Sequence, residues 1–345
     1  MTHVPELMAL PAAELLANAR ARGVELRPHL QKHELVGAIA AHALQNGDAV
    51  TTEGVLAVLP EGFGFVRLDD DDLRPGDADA FVSPSQVRAL NLQTGHRVRG
   101  PIRAPKGNER FFALLQVDRV QGADAKRAAD VLHFDAHETF APTRPWELAV
   151  GDDDPAALRE LATLRRGHRA LLEARGEARV PPELLAGLAA RLRARDADVT
   201  LCLLDQRPED VAAARARVAG SGARVLATPF ADDPERHAQL ADMAWNAALR
   251  QVERGRDAVL LLDSLTALTR AVGRSAPASG RWACPGLDAA ALRPAARVFA
   301  SARQLSDGGS MTVIATVTVR ADSVIDRAIA DEFRPAANLV ATVAS

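Results

Sequence analysis

Cysteine is scarce in this chain: Cys202 and Cys284 are the only two, and they form no CxxC pair. That usage excludes a paired-thiol metal or redox motif and suits a reducing cytosol. Long apolar runs are missing as well. No stretch approaches the roughly 20 residues that cross a membrane, and the start, MTHVPELMALPAAELL, lacks the basic-then-apolar order of an export signal. These absences predict a soluble, cytoplasmic protein with no membrane partner. Excess positive charge is absent too, since 42 Lys and Arg face 45 Asp and Glu for a net charge of -3. A generally basic nucleic-acid coat is thereby excluded, and any polyanion site has to be a local patch. Tyrosine is wholly absent. The rest is ordinary for a globular protein, 48% hydrophobic and 25% charged, and long enough for about two or three domains.

The chain is organised around residues 54–67, GVLAVLPEGFGFVR. The pattern predicts two short strands joined at Pro60-Glu61-Gly62. Phe63 and Phe65 then share one face, with Gly64 leaving room for something flat and Arg67 supplying a charge. Such rings suit base stacking on a single-stranded nucleic acid. They suit the core of a small barrel equally well.

In chain order, residues 1–50 read as a small helical unit. Pro11 opens one helix through Leu15, Leu16 and Ala19 to Gly23, and a second carries Leu35, Val36, Ile39, Ala40 and Ala43. Residues 51–120 change to short strands punctuated by Gly and Pro, predicting a small antiparallel barrel. Phe81 starts one strand. At Glu109-Arg110-Phe111 another begins, and alternation sets Glu109 and Phe111 against Arg110 and Phe112. The run Asp69 to Asp72 lacks the spaced ligands of a calcium loop and reads as a solvated tip. Residues 121–157 read as a linker, in which His133 and His137 give no metal pattern.

From 158 to 345, apolar strands alternate with helices. Val199 to Leu204 ends in Asp205, Ala258 to Leu262 ends in Asp263, and Thr312 to Val317 follows. Between them Asp232-Asp233-Pro234 caps a helix whose stripe is Leu240, Met243, Ala244, Ala247 and Val252. Such alternation predicts a mostly parallel sheet with helices on both faces. Ligands of such sheets gather at the carboxyl ends of the strands, here Asp205, Asp263 and Ser264.

Five ordered stretches carry a resemblance: GFGFVR, FVSPSQVRALNLQTGHRVRGPIRAPKGNERFFALL, LLDQRPEDV, VLLLDSLTALTRAV and GGSMTVIAT. Together they resemble the Rho family of bacterial transcription termination factors over nearly the whole chain. The resemblance implies an N-terminal helical piece, an RNA-binding barrel of the oligonucleotide-binding (OB) type and a RecA-like ATPase that forms a ring. By the same resemblance the primary RNA site is Phe63, Phe65, Arg67, Asp79, Phe81, Glu109, Arg110 and Phe111, with phenylalanine at 81 and 111 where the family has tyrosine. Arg281 and Gly286 match the inner RNA-contacting loop, where Trp282 and Pro285 are departures.

The ATPase half departs sharply from the pattern. Arg179, Val180 and Pro181 stand where the family's phosphate loop has glycine, lysine and threonine, and no lysine follows Lys126. Glu173 and Glu177 add negative charge nearby. Gln206 replaces the carboxylate that activates water, and Val324 replaces a lysine of the translocating loop. The segment bearing the family's arginine finger would lie past Ser345, so the RecA-like domain reads as truncated. Arg207 and Asp263 survive as a nucleotide remnant. Three uses follow: an RNA-binding regulator of termination without hydrolysis, an active RNA-dependent ATPase, or a module docking on Rho or RNA polymerase. ATP and magnesium are cofactors only if the altered site still binds them, and an oligomer is compatible with each use.

Overall fold

The computed structural model describes residues 2–27, 29–128, 130–176, 179–306 and 308–343. It divides into two compact units, Met1–Val131 and Leu132–Ser345.

After a two-residue strand, Thr2–His3, paired with Val50 and Thr51, the first unit has three helices, α1 (Val4–Ala9), α2 (Ala12–Ala21) and α3 (Lys32–Gln45). A capping box starts α3, with the Glu34 carboxylate accepting from the Gln31 amide at 2.6 Å. The stripe Leu35, Val36, Ile39, Ala40 and Ala43 is buried, as its spacing requires. It packs in one core with Leu56, Val66, Ala80, Val98 and Ile102 of the strands that follow.

Those strands are β1 (Val50–Val58), β2 (Gly64–Arg67), β3 (Ala80–Val82), β4 (Arg97–Arg103) and β5 (Phe112–Leu114), with the short helix α4 (Pro84–Ala89) between β3 and β4. β1 pairs with β2 and β4, β2 with β3, β3 with β5, and β5 with β4. The ring closes in the order 1-2-3-5-4, the five-stranded OB barrel. Gly64 is buried, and a Cβ there would come 2.8 Å from the Ala57 carbonyl oxygen and the Leu56 side chain. Its lack of a side chain therefore serves the contact of β2 with β1, not the approach of a ligand. The aspartate run is anchored rather than solvated throughout: Asp69–Asp71 forms a 3-10 turn, and Asp69 pairs with Arg97.

In the second unit the strands are β6 (Arg169–Arg175), β7 (Asp198–Gln206), β8 (Arg224–Pro229), β9 (Asp257–Asp263), β10 (Ser310–Val319) and β11 (Leu339–Val343). They lie in the order β8-β7-β9-β10-β6-β11, each parallel to its neighbour. Leu172, Ala174, Leu201, Leu203, Val259 and Leu261 form one core with α5 (Pro182–Arg193) and α6 (Pro208–Val218). The alternate residues face the other side, where α7 (Pro234–Val252) packs against β7 and β9. This is the RecA-like α/β layering. The stretch read as a linker carries Trp146 and Leu148 into this core, and the Trp146 indole donates to Thr312 Oγ1 at 3.2 Å. Trp245 lies in α7, its indole donating to Ser301 Oγ at 2.9 Å. Among the described residues no helix is long and apolar enough to cross a membrane.

Candidate functional site

The outward face of β2 and β3 decides the use of the phenylalanines. Strand alternation turns Gly64, Val66, Ala80 and Val82 into the core and leaves Phe65 and Phe81 half-buried, opposite each other in register. Phe63 joins them from the turn and Phe111 from the segment before β5. Phe65 sits at the centre, with ring centroids 5.8 Å from Phe63, 6.0 Å from Phe81 and 4.8 Å from Phe111. Phe63 and Phe81 lie 5.5 Å apart. The rings line a cavity of about 700 Å³ together with Arg103, Glu109, Arg110, Ser83, Gln86 and Leu115. The barrel core is made instead by Phe112, 4% exposed.

Glu109 and Arg110 both precede β5, so strand alternation does not separate them and both reach the cavity. Arg103 grips Glu109 through two guanidinium hydrogen bonds, 2.5 and 2.9 Å, and the Lys106 amide adds a third at 3.0 Å. These hydrogen bonds hold the Glu109 carboxyl down at about 2, so it is an ionised acceptor at neutral pH. Arg110 lies over Phe111, 5.3 Å from the ring centroid, and 3.5 Å from Asp77. Arg103 was not singled out from sequence, although an arginine closing a strand six residues before Glu109 was its available signal. Ser83 and Gln86 had one too, since SPSQ spells the capping box that opens the helix Pro84–Ala89.

Arg67 and Asp79 do not line the cavity. They form an internal pair at 3.9 Å, and Asp79 also accepts from the Gly76 amide at 3.1 Å. Burial pushes the Asp79 carboxyl up to about 7 despite these partners. A folded-state value raised above the unfolded one means that its stabilising contribution is complete below about pH 4 and is lost as pH rises through 7. Denaturant unfolding of the first unit should accordingly show stability falling between about pH 4 and 7, and Asp79→Asn should flatten that slope.

The second unit gathers its polar residues at the carboxyl ends of β7 and β9. Ser264, at φ 100°, ψ 98°, follows β9 and caps the helix α8 (Leu265–Ser275), its Oγ accepting from the Ala267 amide at 2.9 Å. This sparsely populated backbone is the kind of strain that marks sites. Asp263 is fully buried. Gln206 Nε2 donates to its Oδ2, Oδ1 has no hydrogen-bond partner, and burial lifts the carboxyl to about 6. From the loop after β6, Arg179 donates to the carbonyls of Asp205 at 2.8 Å and Leu204 at 2.9 Å. Its guanidinium also lies 3.7 Å from the carboxylates of Asp205 and Asp263. Val180 is in the core, and Pro181 and Pro182 begin α5. The adjoining cavity of about 750 Å³ includes Arg179, Arg207 and Phe230, and its three carboxylates, Glu183, Asp205 and Asp210, outnumber its two guanidiniums.

Glu173 does not face this cavity. It is buried on β6 and accepts from Arg334 Nε at 2.7 Å. Glu177 lies outside the described residues. Gly286 lines a different cavity, with Trp282, Asp288 and Arg270, while Arg281 is exposed on the hairpin Trp282–Cys284 and Leu287–Asp288 and does not line it. Val324 opens the helix Val324–Phe333 and is 48% exposed.

A family model for the Rho termination factor, RNA-binding domain, matches residues 52–126, the span that holds the aromatic cavity. The transcription termination factor Rho of Neisseria gonorrhoeae is 36% identical, over 98% of this chain and 81% of that protein. The chain belongs to the Rho family. Rho from Haemophilus influenzae is 36% identical and Rho from Escherichia coli 35%, each with the same coverage. Among solved structures, a prototypical ATPase of a type III secretion system overlaps 59% of this chain with TM-score 0.49 and 21% identity, too loose a likeness to add to the topology. Within the Rho family, then, this chain unites an OB barrel bearing an open phenylalanine cluster with a RecA-like unit in which Arg179 binds the strand-end carbonyls of Leu204 and Asp205.

Proposed function

We propose that this chain is a Rho-family RNA-binding protein that acts in transcription termination or its regulation and does not hydrolyse ATP. The carrying observation is the contrast between its two ends. Four rings, the Glu109 acceptor and Arg110 stand open on the barrel, the faces and charges that hold single-stranded RNA by stacking and phosphate contact. In the RecA-like unit the residues present do not fit a magnesium triphosphate. Pro181 and Pro182 bring no N–H where the helix begins, Arg179 spends its donors on protein carbonyls, and carboxylates predominate in the cavity. Gln206 supplies an amide where the family has a base. Loss of one such contact typically costs about 10²–10³ in rate. Competition with Rho for RNA, or contact with Rho or RNA polymerase in the cytoplasm, would turn RNA binding into regulation.

The test is paired. The purified chain is expected to bind pyrimidine-rich single-stranded RNA with an affinity that falls steeply with salt, and to release phosphate from ATP at background rate with or without that RNA. Absent RNA binding would end this reading. One observation favours a second reading, an active RNA-dependent ATPase: the orphaned, buried Asp263 Oδ1 is an oxygen that a magnesium-bound water could satisfy. RNA-stimulated phosphate release abolished by Asp263→Asn would establish that alternative.

A further inference from the structure

We infer that Arg179 is a built-in counter-ion which, with Gln206, takes over the strand-end carboxylates from inside the chain and lets the RecA-like unit fold without nucleotide or divalent cation. The inference rests on the reading that this site takes no triphosphate, and it goes further by naming what replaces it. Three aspartates, Asp205, Asp263 and Asp326, gather at this end of the sheet. Arg179 lies 3.7 Å from each of the first two. Asp326 accepts from Arg270 at 2.5 Å and from Arg320 at 2.7 Å. A small cavity of about 210 Å³ collects Arg179, Arg270 and Arg320 beside Asp205 and Asp326, so guanidinium charge meets carboxylate charge with no ion from outside.

Two details mark Arg179 as a ligand to the site rather than a passing surface charge. The pairing of β7 with β8 shifts between Leu203 and Gln206. The two carbonyls that Arg179 binds, Leu204 and Asp205, lie inside that shift, where the regular ladder is interrupted. A planar guanidinium reaches both at once, which the single ammonium of a lysine does less well. Gln206 is the second detail. Its amide donates to Asp263, whereas a glutamate there would press two carboxylates together, a repulsion that only a shared proton or a cation would relieve. The arginine at 179 and the amide at 206 thus act on the same carboxylate.

The experiment follows thermal unfolding and amide hydrogen exchange of the full chain in EDTA, in magnesium, in manganese and with magnesium ATP. Wild type is expected to melt within about 1 °C in all four, because no ligand selects its folded state. Arg179→Ala should lower the second unit's melting temperature by roughly 5–10 °C and speed exchange at 204–206 and 263. In Arg179→Ala/Gln206→Glu, manganese should raise the melting temperature that EDTA leaves low. If Arg179→Ala does not fold, Arg179→Lys should fold, melt below wild type and exchange faster at the same amides. An Arg179→Ala or Arg179→Lys protein that melts and exchanges like wild type overturns the inference while leaving the RNA-binding reading untouched. Stabilisation of wild type by magnesium ATP would instead overturn the reading of the nucleotide site, and this inference with it.

Discussion

Phe65→Ala is expected to weaken binding of pyrimidine-rich single-stranded RNA by roughly 5- to 150-fold, the span of about 1–3 kcal/mol per lost base stack. Phe65 has the largest expected effect because it alone touches Phe63, Phe81 and Phe111. Its removal takes away one stacking face and the packing that steadies three others. The cost to folding should be small, since the ring is half-buried and the core beneath is made by Val66 and Phe112. Phe112→Ala is the contrasting variant, with an expected stability loss of about 3–5 kcal/mol. Fluorescence anisotropy with labelled RNA, run beside a melting curve for each variant, separates the two. Phe65→Ala binding like wild type would show that the rings are not the grip.

Asp326→Ala is expected to destabilise the second unit by about 3 kcal/mol, measured as a shift in the urea midpoint followed by far-ultraviolet circular dichroism. The carboxylate is fully buried, accepts from Arg270 and Arg320, and stands one turn into a helix capped by Ser323 Oγ, which accepts from the Asp326 amide at 3.1 Å. Removing it leaves two guanidiniums without their shared partner. The loss falls at the low end for a broken buried pair because each guanidinium is about one-third exposed and recovers some hydration. RNA affinity should be retained, since the stacking cavity belongs wholly to the first unit.

Continuous apolar runs, the mark of strands covered on both faces, made the central strands legible. Val199 to Leu204 and Ala258 to Leu262 appear in the structure as parts of β7 and β9; β9 ends at Asp263 as expected, and β7 runs one residue past Asp205 to Gln206. β6 was harder to see, because RALLEAR has a glutamate at its middle and gives no hint that Arg334, 161 residues away, will neutralise it. Gly64 was misread for a similar reason: the atoms that forbid its side chain come from β1, and register across a hairpin is not written in either strand alone. The rings of the site were legible because alternation is local. The pairing of Arg67 with Asp79 beneath the surface depends on how a loop returns and had no such signal, while Arg103 showed only its place at a strand end six residues before Glu109.

The placement of tryptophan has a practical consequence. All three indoles, Trp146, Trp245 and Trp282, belong to the second unit, and the chain has no tyrosine. Light absorbed at the red edge of the protein band is therefore emitted by the RecA-like half alone. Two of the emitters are shielded, at 1% and 8% exposure, while Trp282 is 63% exposed on its hairpin. Unfolding of that half should be seen as a red shift of a mixed spectrum, and quenching by iodide should first strip out the hairpin's share. The barrel stays dark throughout, so RNA binding to it can be followed with a labelled strand against a silent background.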